Sequence, residues 1–244
     1  MAEILGVDVS KWQGVMDWGK AAAMGVRFAL CKASEGTSYL DPTFQRNANE
    51  ARAQGMLVGA YHFIRPIVDV TQQADNFKKR IGDFKLDFPP VLDCEASDQL
   101  GLEAVNNFVY KLAKLMMGFQ EWAYPMIYTS QGWWNANVKA DKFWAHCPLW
   151  VANWKVIKPR LPRDWKDYLI WQTGQGVGMD YGAQSTQIDL NLWNPSVPFP
   201  GDPTTEPPAP PVPPVPTPDK IQAHIQVTIS GVRYAAEAEL KLVN

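Results

Sequence analysis

The sequence predicts an α/β chain whose main part is a modified, incomplete (β/α)8-type barrel, five β/α units followed by three strands, with a small C-terminal β-hairpin behind it. Three observations predict it. Eight short runs rich in β-branched and aromatic residues recur up to Asn194, and stretches of helical period separate the first five of them. Strand, helix, strand in that order pairs the strands in parallel. A proline-dense segment then cuts the chain.

The run ILGVDVS (4–10) is followed by a helical stretch at 17–24, VRFALCKAS (26–34) by one at 41–54, LVGAYHFI (57–64) by one at 69–81, and PVLDCEA (90–96) by one at 99–122. The last is the best marked, because Leu102, Val105, Phe108, Val109, Leu112, Leu115 and Met116 recur at helical spacing and make one apolar stripe. YPMIYTS (124–130) is the fifth strand. The segment after it, SQGWWNANVKADKFWAHC, reads as irregular with at most a short helix near its end. PLWVANW (148–154), YLIWQTG (168–174) and TQIDLNLW (186–193) complete the set. Between them KVIKPRLPRD is broken by two prolines and GQGVGMDYGAQS is too rich in glycine for a helix. An open parallel sheet begins the same way, so pattern alone leaves closure undecided.

From 198 to 218 the chain reads PFPGDPTTEPPAPPVPPVPTP, and eleven prolines there remove the donors that helix or sheet would need. The expected division is a barrel domain at 1–197, this stiff linker at 198–218, and a tail at 219–244. In the tail Ile221, Ala223, Ile225, Val227 and Ile229 alternate with polar residues, and the alternation resumes from Val232 to Leu242. A lone two-stranded hairpin is marginal in water. Its apolar face is therefore expected to cover itself by self-association or against a partner.

Hydrophobic residues make up 46% and charged residues 20%, the balance of a chain that buries a core. Twenty-three Lys and Arg against 25 Asp and Glu leave a net charge of -2, without the basic excess that nucleic acid or anionic lipid requires. No apolar run is long enough to span a membrane. Cys31, Cys94 and Cys147 are odd in number and far apart, which argues against a disulfide framework and for folding in a reducing compartment. Charges at Glu3 and Asp8 interrupt the N-terminus before any stretch of signal-peptide length, so synthesis in the cytoplasm is expected.

Parallel barrels carry their functional groups at the carboxyl ends of the strands. Asp8, Glu35, Tyr61, His62, Asp93, Glu95, Tyr128, Trp154, Gln172 and Asp189 fall at or near those ends. Residues i and i+2 of a strand share a face, so Asp93 and Glu95 enter one site. An isolated pair of this kind would read as two surface acids. Asp8 and Asp189 change that, because each also interrupts an apolar β-rich segment. Such a cluster suits glycosidic cleavage, where one carboxylic acid protonates the leaving oxygen and a second stabilises or attacks the oxocarbenium-like centre. Like charges raise the pKa of one member, and Glu95, with the longer reach, is the acid candidate. Strand spacing leaves retaining, inverting and substrate-assisted routes open. Asp8, His62, Asp93 and Asp189 are also a conceivable cation site, but the chain's three histidines, His62, His146 and His224, offer no pair at ligand spacing, and neither metal nor cofactor is expected. A lone His62 on an aromatic-flanked strand is read as structural. Trp12, Tyr61, Tyr128, Trp150, Trp154 and Trp171 would give flat faces for sugar rings, with core packing the rival reading for each.

GVDVSKWQG, KASEGTSYLDPTF, GMLVGAYHF, VLDCEAS, YTSQGWW, LWVANW, WQTG and IDLNLW, taken together and in that order from Ile4 to Asn194, resemble the glycoside hydrolase family 25 muramidases, lysozymes of phage endolysin and autolysin type. The resemblance implies a TIM-like barrel that hydrolyses the β-1,4 bond between N-acetylmuramic acid and N-acetylglucosamine in bacterial peptidoglycan. It places the family's Asp-x-Glu motif on Asp93 and Glu95, the latter as proton donor, and its other two acids on Asp8 and Asp189. Lys32, Glu35, Tyr61, Tyr128, Trp154 and Gln172 then match cleft-lining positions, with Trp12 and Trp150 added from the aromatic rim. A non-catalytic glycan-binding barrel is the alternative. Release from the cytoplasm to the wall, as for an endolysin, is the expected setting.

Overall fold

The computed structural model describes residues 3–200 with their side chains and the backbone of 221–229 and 232–240. The chain forms two compact units, Met1–Val197 and Pro198–Asn244. Elements of the first run β1 (Leu5–Val9), α1 (Trp18–Ala23), β2 (Val26–Glu35), β3 (Tyr39–Leu40), α2 (Phe44–Ala53), β4 (Leu57–Phe63), α3 (Val70–Ile81), β5 (Val91–Asp93), α4 (Leu102–Met116), β6 (Met126–Ser130), α5 (Gln131–Asn137), β7 (Leu149–Ala152), β8 (Ile170–Val177) and β9 (Gln187–Trp193). All eight expected strands are present, and the two-residue β3 is an addition on the flank of β2.

The sheet closes. β1 pairs in parallel with β2 and antiparallel with β9, while β2, β4, β5, β6, β7 and β8 follow one another in parallel. The chain reverses at β9, which runs antiparallel to both of its neighbours. Loop length explains the reversal. A parallel return needs a crossover of a dozen or more residues, and only 178–186 separate β8 from β9. The 17 residues 153–169 between β7 and β8 suffice for a parallel return without a helix.

Two helical expectations are corrected. The helix predicted to reach 122 ends at Met116, because Gly118 takes a left-handed φ of 75° and a short 3-10 turn follows. The connection after the fifth strand begins with a helix instead of ending in one. Ser130 caps α5 by accepting from the Trp133 amide at 3.2 Å, and only a 3-10 turn, Trp144–His146, lies near the end. Gly132 and the Trp and Asn residues of α5 have weak helix propensity, which hid it. Packing makes up for this. Trp134 is fully buried between the rings of Trp144 and Trp165, at 4.9 and 4.8 Å, and its indole donates to Asp164 at 2.8 Å.

Alternation along the strands builds two cores. Outward residues such as Ala29, Cys31, Val58 and Ile127 pack under helix residues Phe44, Phe77, Val109 and Leu112. Inward, Phe28 meets Phe88 and Trp193 edge-on at 5.9 and 6.2 Å, and the latter two are tilted against each other at 5.8 Å. Gly6 leaves room for them, since a Cβ there would lie 2.2 Å from the Phe28 ring. Gly6→Ala is therefore expected to cost about 1–3 kcal/mol by overpacking. Thermal melting checks it, and a variant with the parent's melting temperature would show that the ring can move aside. All three cysteines are free and buried.

In the second unit β10 (Ile221–Ile229) and β11 (Val232–Leu240) pair antiparallel, Ile229 opposite Val232. The linker conformation and the facing of the tail's apolar side chains lie outside the described residues.

Candidate active site

The four acids meet at one end of the barrel. Asp8 on β1 and Asp189 on β9 are direct partners across the antiparallel pair. Like charges so placed weaken a sheet, so fold stability does not explain them. Asp93 is the last residue of β5 and nearly buried at 5% exposure. The strand predicted through 96 stops there, and Glu95 stands beyond its end, exposed at the mouth. With Ser10, Trp12, Gln13, Lys32, Tyr61, Phe63, Tyr128, Trp150, Trp154 and Gln172 these acids line a cleft of about 360 Å³.

The expected aromatics divide by exposure. Trp12 at 73% and Trp154 at 42% form the rim, while Tyr61, Tyr128 and Trp150 are buried walls. Trp171 lies in the layer between barrel and helices, its indole donating to the Asn153 carbonyl at 2.8 Å. Glu35 is a correction, because it does not line this cleft. Its Oε1 accepts from Arg65 Nε and Nη2 at 2.8 and 2.6 Å, and its Oε2 from Lys32 Nζ at 2.6 Å. Arg65 thus draws it aside. Burial raises the pKa of Glu35, but the hydrogen bonds from Lys32 and Arg65 outweigh this and hold it below the ordinary range.

Asp8 is oriented by two amides. Its Oδ2 accepts from Gln172 Nε2 at 2.9 Å and from Asn191 Nδ2 at 2.8 Å. Gln172 Oε1 in turn accepts from the Tyr128 hydroxyl at 3.0 Å and the Trp154 indole at 2.9 Å, and Asn191 Oδ1 accepts from the Trp150 indole at 2.8 Å. An indole N–H only donates, so each amide must turn its oxygen to the aromatics and its nitrogen to Asp8. The same rings that wall the cleft hold its innermost acid. Sequence reasoning missed Asn191, although it lies two residues beyond Asp189 on one strand, the spacing that joined Asp93 to Glu95. Ser10, Gln13 and Phe63 were missed as well and carry no comparable signal.

The electrostatics are those of a cluster that retains protons. Burial first, then the charge of Asp189, raises Asp8 to about 7 against the opposing hydrogen bonds of Asn191 and Gln172. Burial and the neighbouring Glu95 push Asp93 well up. Glu95 is raised by desolvation and by Asp189, with Lys32 and Arg65 opposing, and Asp189 is raised by burial. Oδ1 of Asp93 and Oδ1 of Asp189 are buried without a hydrogen-bond partner among the described residues. Buried oxygens without a partner are rare in folded proteins, and here two of them belong to acids of one cleft. His62 is not part of this chemistry. It is fully buried, its Nδ1 lies 2.8 Å from Ser34 Oγ and its Nε2 3.1 Å from Gln73 Oε1, and burial lowers its pKa to about 4, so it stays neutral. Among the described residues no group of three or more His, Cys, Asp or Glu is arranged to hold a metal ion.

The sequence profile described as Glycosyl hydrolases family 25 matches residues 7–177, which carry three of the four acids and most of the cleft wall. The chain belongs to glycosyl hydrolases family 25. This family 25 chain is 33% identical over 214 residues to Lysozyme M1 of Streptomyces globisporus, covering 79% of the chain and 68% of that protein. It is 30% identical over 178 residues to the N,O-diacetylmuramidase of Arthroderma benhamiae, covering 69% and 76%. The crystal structure of the bacterial lysozyme from Streptomyces coelicolor superimposes with a TM-score of 0.70 at 32% identity, over 80% of this chain and 93% of that one. The family 25 chain is a glycoside hydrolase with a TIM-like barrel.

Proposed function

We propose that this family 25 hydrolase is an N-acetylmuramidase of bacterial peptidoglycan, cleaving the β-1,4 bond between N-acetylmuramic acid and N-acetylglucosamine. The observation that carries the reading is the convergence of Asp8, Asp93, Glu95 and Asp189 in one aromatic-walled cleft, with every one of the four raised in pKa. Glu95, the member at the mouth, hands its proton to the glycosidic oxygen as the bond to the anomeric carbon breaks, and a water molecule then supplies the hydroxyl of the new reducing end, its proton returning to a carboxylate of the cluster. The free oxygen of Asp93 faces the charge that develops there, or holds the substrate's 2-acetamido group while that group attacks. Asp189 supplies a second such oxygen, and Asp8, fixed by Gln172 and Asn191, keeps the proton inventory of the cluster high. Trp12 and Trp154 offer ring faces to flanking sugars. The barrel unit is then the catalytic domain, and lysis of the wall from within, as by an endolysin, is the setting that fits the sequence.

Purified peptidoglycan treated with the enzyme should release new reducing ends. Release of amino groups instead would mean an amidase or peptidase, and release of neither a glycan-binding barrel. Added EDTA should leave the rate unchanged, since a proton donor and carboxylates suffice for the step. Loss of activity restored by a divalent ion, with the fold intact, would return the metal reading.

A further inference from the structure

A second pocket, of about 240 Å³, adjoins the cleft and shares Trp12 and Lys32 with it, its other walls being Lys11, Glu35, Tyr39 and Asp41. Its two acids are already committed. Asp41 is fully buried, its Oδ1 taking the Thr43 amide at 2.9 Å and hydroxyl at 2.6 Å and its Oδ2 the Lys11 amide at 3.0 Å. Glu35 is held by Lys32 and Arg65. The ammonium of Lys11 makes no ion pair among the described residues. It lies over the rings of Trp12 and Tyr39, at 4.8 and 5.1 Å from their centroids. Beside it the Tyr39 hydroxyl is buried without a hydrogen bond of ordinary geometry, although the Lys11 ammonium approaches it. An exposed ammonium without an ion pair and a phenol proton without an acceptor, side by side, therefore point to a carboxylate as the occupant.

We propose that this side pocket receives the carboxylate-bearing branch of the muramyl sugar, with Lys11 as ion-pair partner and the Tyr39 hydroxyl as donor. The inference rests on the muramidase reading, because that sugar alone in the glycan strand carries such a branch, a lactyl ether at O3 that continues into a peptide. Around the reacting centre the cleft is lined by four acids, and its one cation, Lys32, is already paired with Glu35, so a carboxylate finds no ion-pair partner there. An exit across the shared Trp12 and Lys32 wall towards the Lys11 ammonium lets the ring stay against the acids while its anionic branch leaves. Two sources offer the same chemistry: the lactyl carboxylate itself, where no peptide is attached, and a carboxylate of the attached peptide.

The test uses the full chain and three soluble glycan substrates: strands bearing peptides, strands stripped to the free lactyl acid, and stripped strands blocked as the methylamide. Reducing ends report kcat and KM. The parent should prefer the charged strands to the blocked ones, and Lys11→Met should cut that preference by about five- to tenfold, through KM, as for a lost charge-assisted contact. Tyr39→Phe should move it the same way by less. A loss seen on the lactyl-acid strands assigns the lactyl carboxylate, and a loss confined to peptide-bearing strands assigns the peptide. A parent without preference, or a Lys11→Met variant slowed equally on all three, overturns the proposal while leaving the muramidase reading in place. A parent that releases reducing ends from none of the strands overturns that reading and the pocket assignment with it.

Discussion

Glu95→Gln is expected to lower turnover on peptidoglycan by roughly 100- to 10,000-fold while the protein keeps its fold. The amide preserves the shape of the acid and removes the proton that the leaving oxygen needs. Little structure is at stake, because Glu95 lies past the end of β5, is exposed, and makes no hydrogen bond among the described side chains. The loss should therefore fall on kcat more than on KM. Reducing-end release and a thermal melt on the same preparation check both halves. A folded variant with near-normal lysis would remove Glu95 from the proton-donor role. In the parent, kcat/KM should decline on the alkaline side as Glu95 loses its proton, at a pH above the ordinary carboxylate range because its pKa is raised.

Asp93→Asn should move activity and stability in opposite directions. Turnover is expected to drop about 100-fold or more, since asparagine cannot ionise to meet the charge that develops beside the strand end. Stability at neutral pH should rise. The folded-state pKa of Asp93 lies well above its unfolded value near 3.8, so between the two the folded protein holds a proton that the unfolded chain has released. Folding is therefore weakened as pH climbs from about 4 towards the folded pKa, the reverse of an ion-paired aspartate. Asp8 adds to the same trend between about 4 and 7. Asparagine carries no charge at any pH and escapes the penalty. The variant should melt above the parent at pH 7 to 8, by roughly 2–4 °C for each kcal/mol relieved, and the gap should close towards pH 4. His62 runs the other way, its contribution present above 6.5 and lost as pH falls to about 4, but it is common to both proteins and cancels in the difference. A gap independent of pH would show that Asp93 is not the buried charge responsible.

Much of this molecule is legible locally. Period-2 and period-3.6 patterns depend on which side of a single element meets a core, so eight strands and four helices could be read from neighbouring residues alone. An acid inside an apolar strand is equally local, because its burial cost is apparent from the flanking residues, and this is how Asp8, Asp93 and Asp189 stood out. The failures were local too. α5 has poor propensity and is held by Trp134 packing against Trp144 and Trp165, contacts that no helix period encodes.

By itself the sequence determined the element types, the four acids and the aromatic supply for a cleft. Closure of the barrel, reversal of β9, the departure of Glu35 to Arg65 and the orientation of Asp8 were decided only by the tertiary structure. The reason is partner choice over distance. Arg65 and Glu35 are 30 residues apart, Gln172 and Asp8 164, and Asn191 and Asp8 183. A polar side chain takes whichever partner the closed barrel sets beside it, and desolvation there, with the charges gathered around it, then sets its pKa.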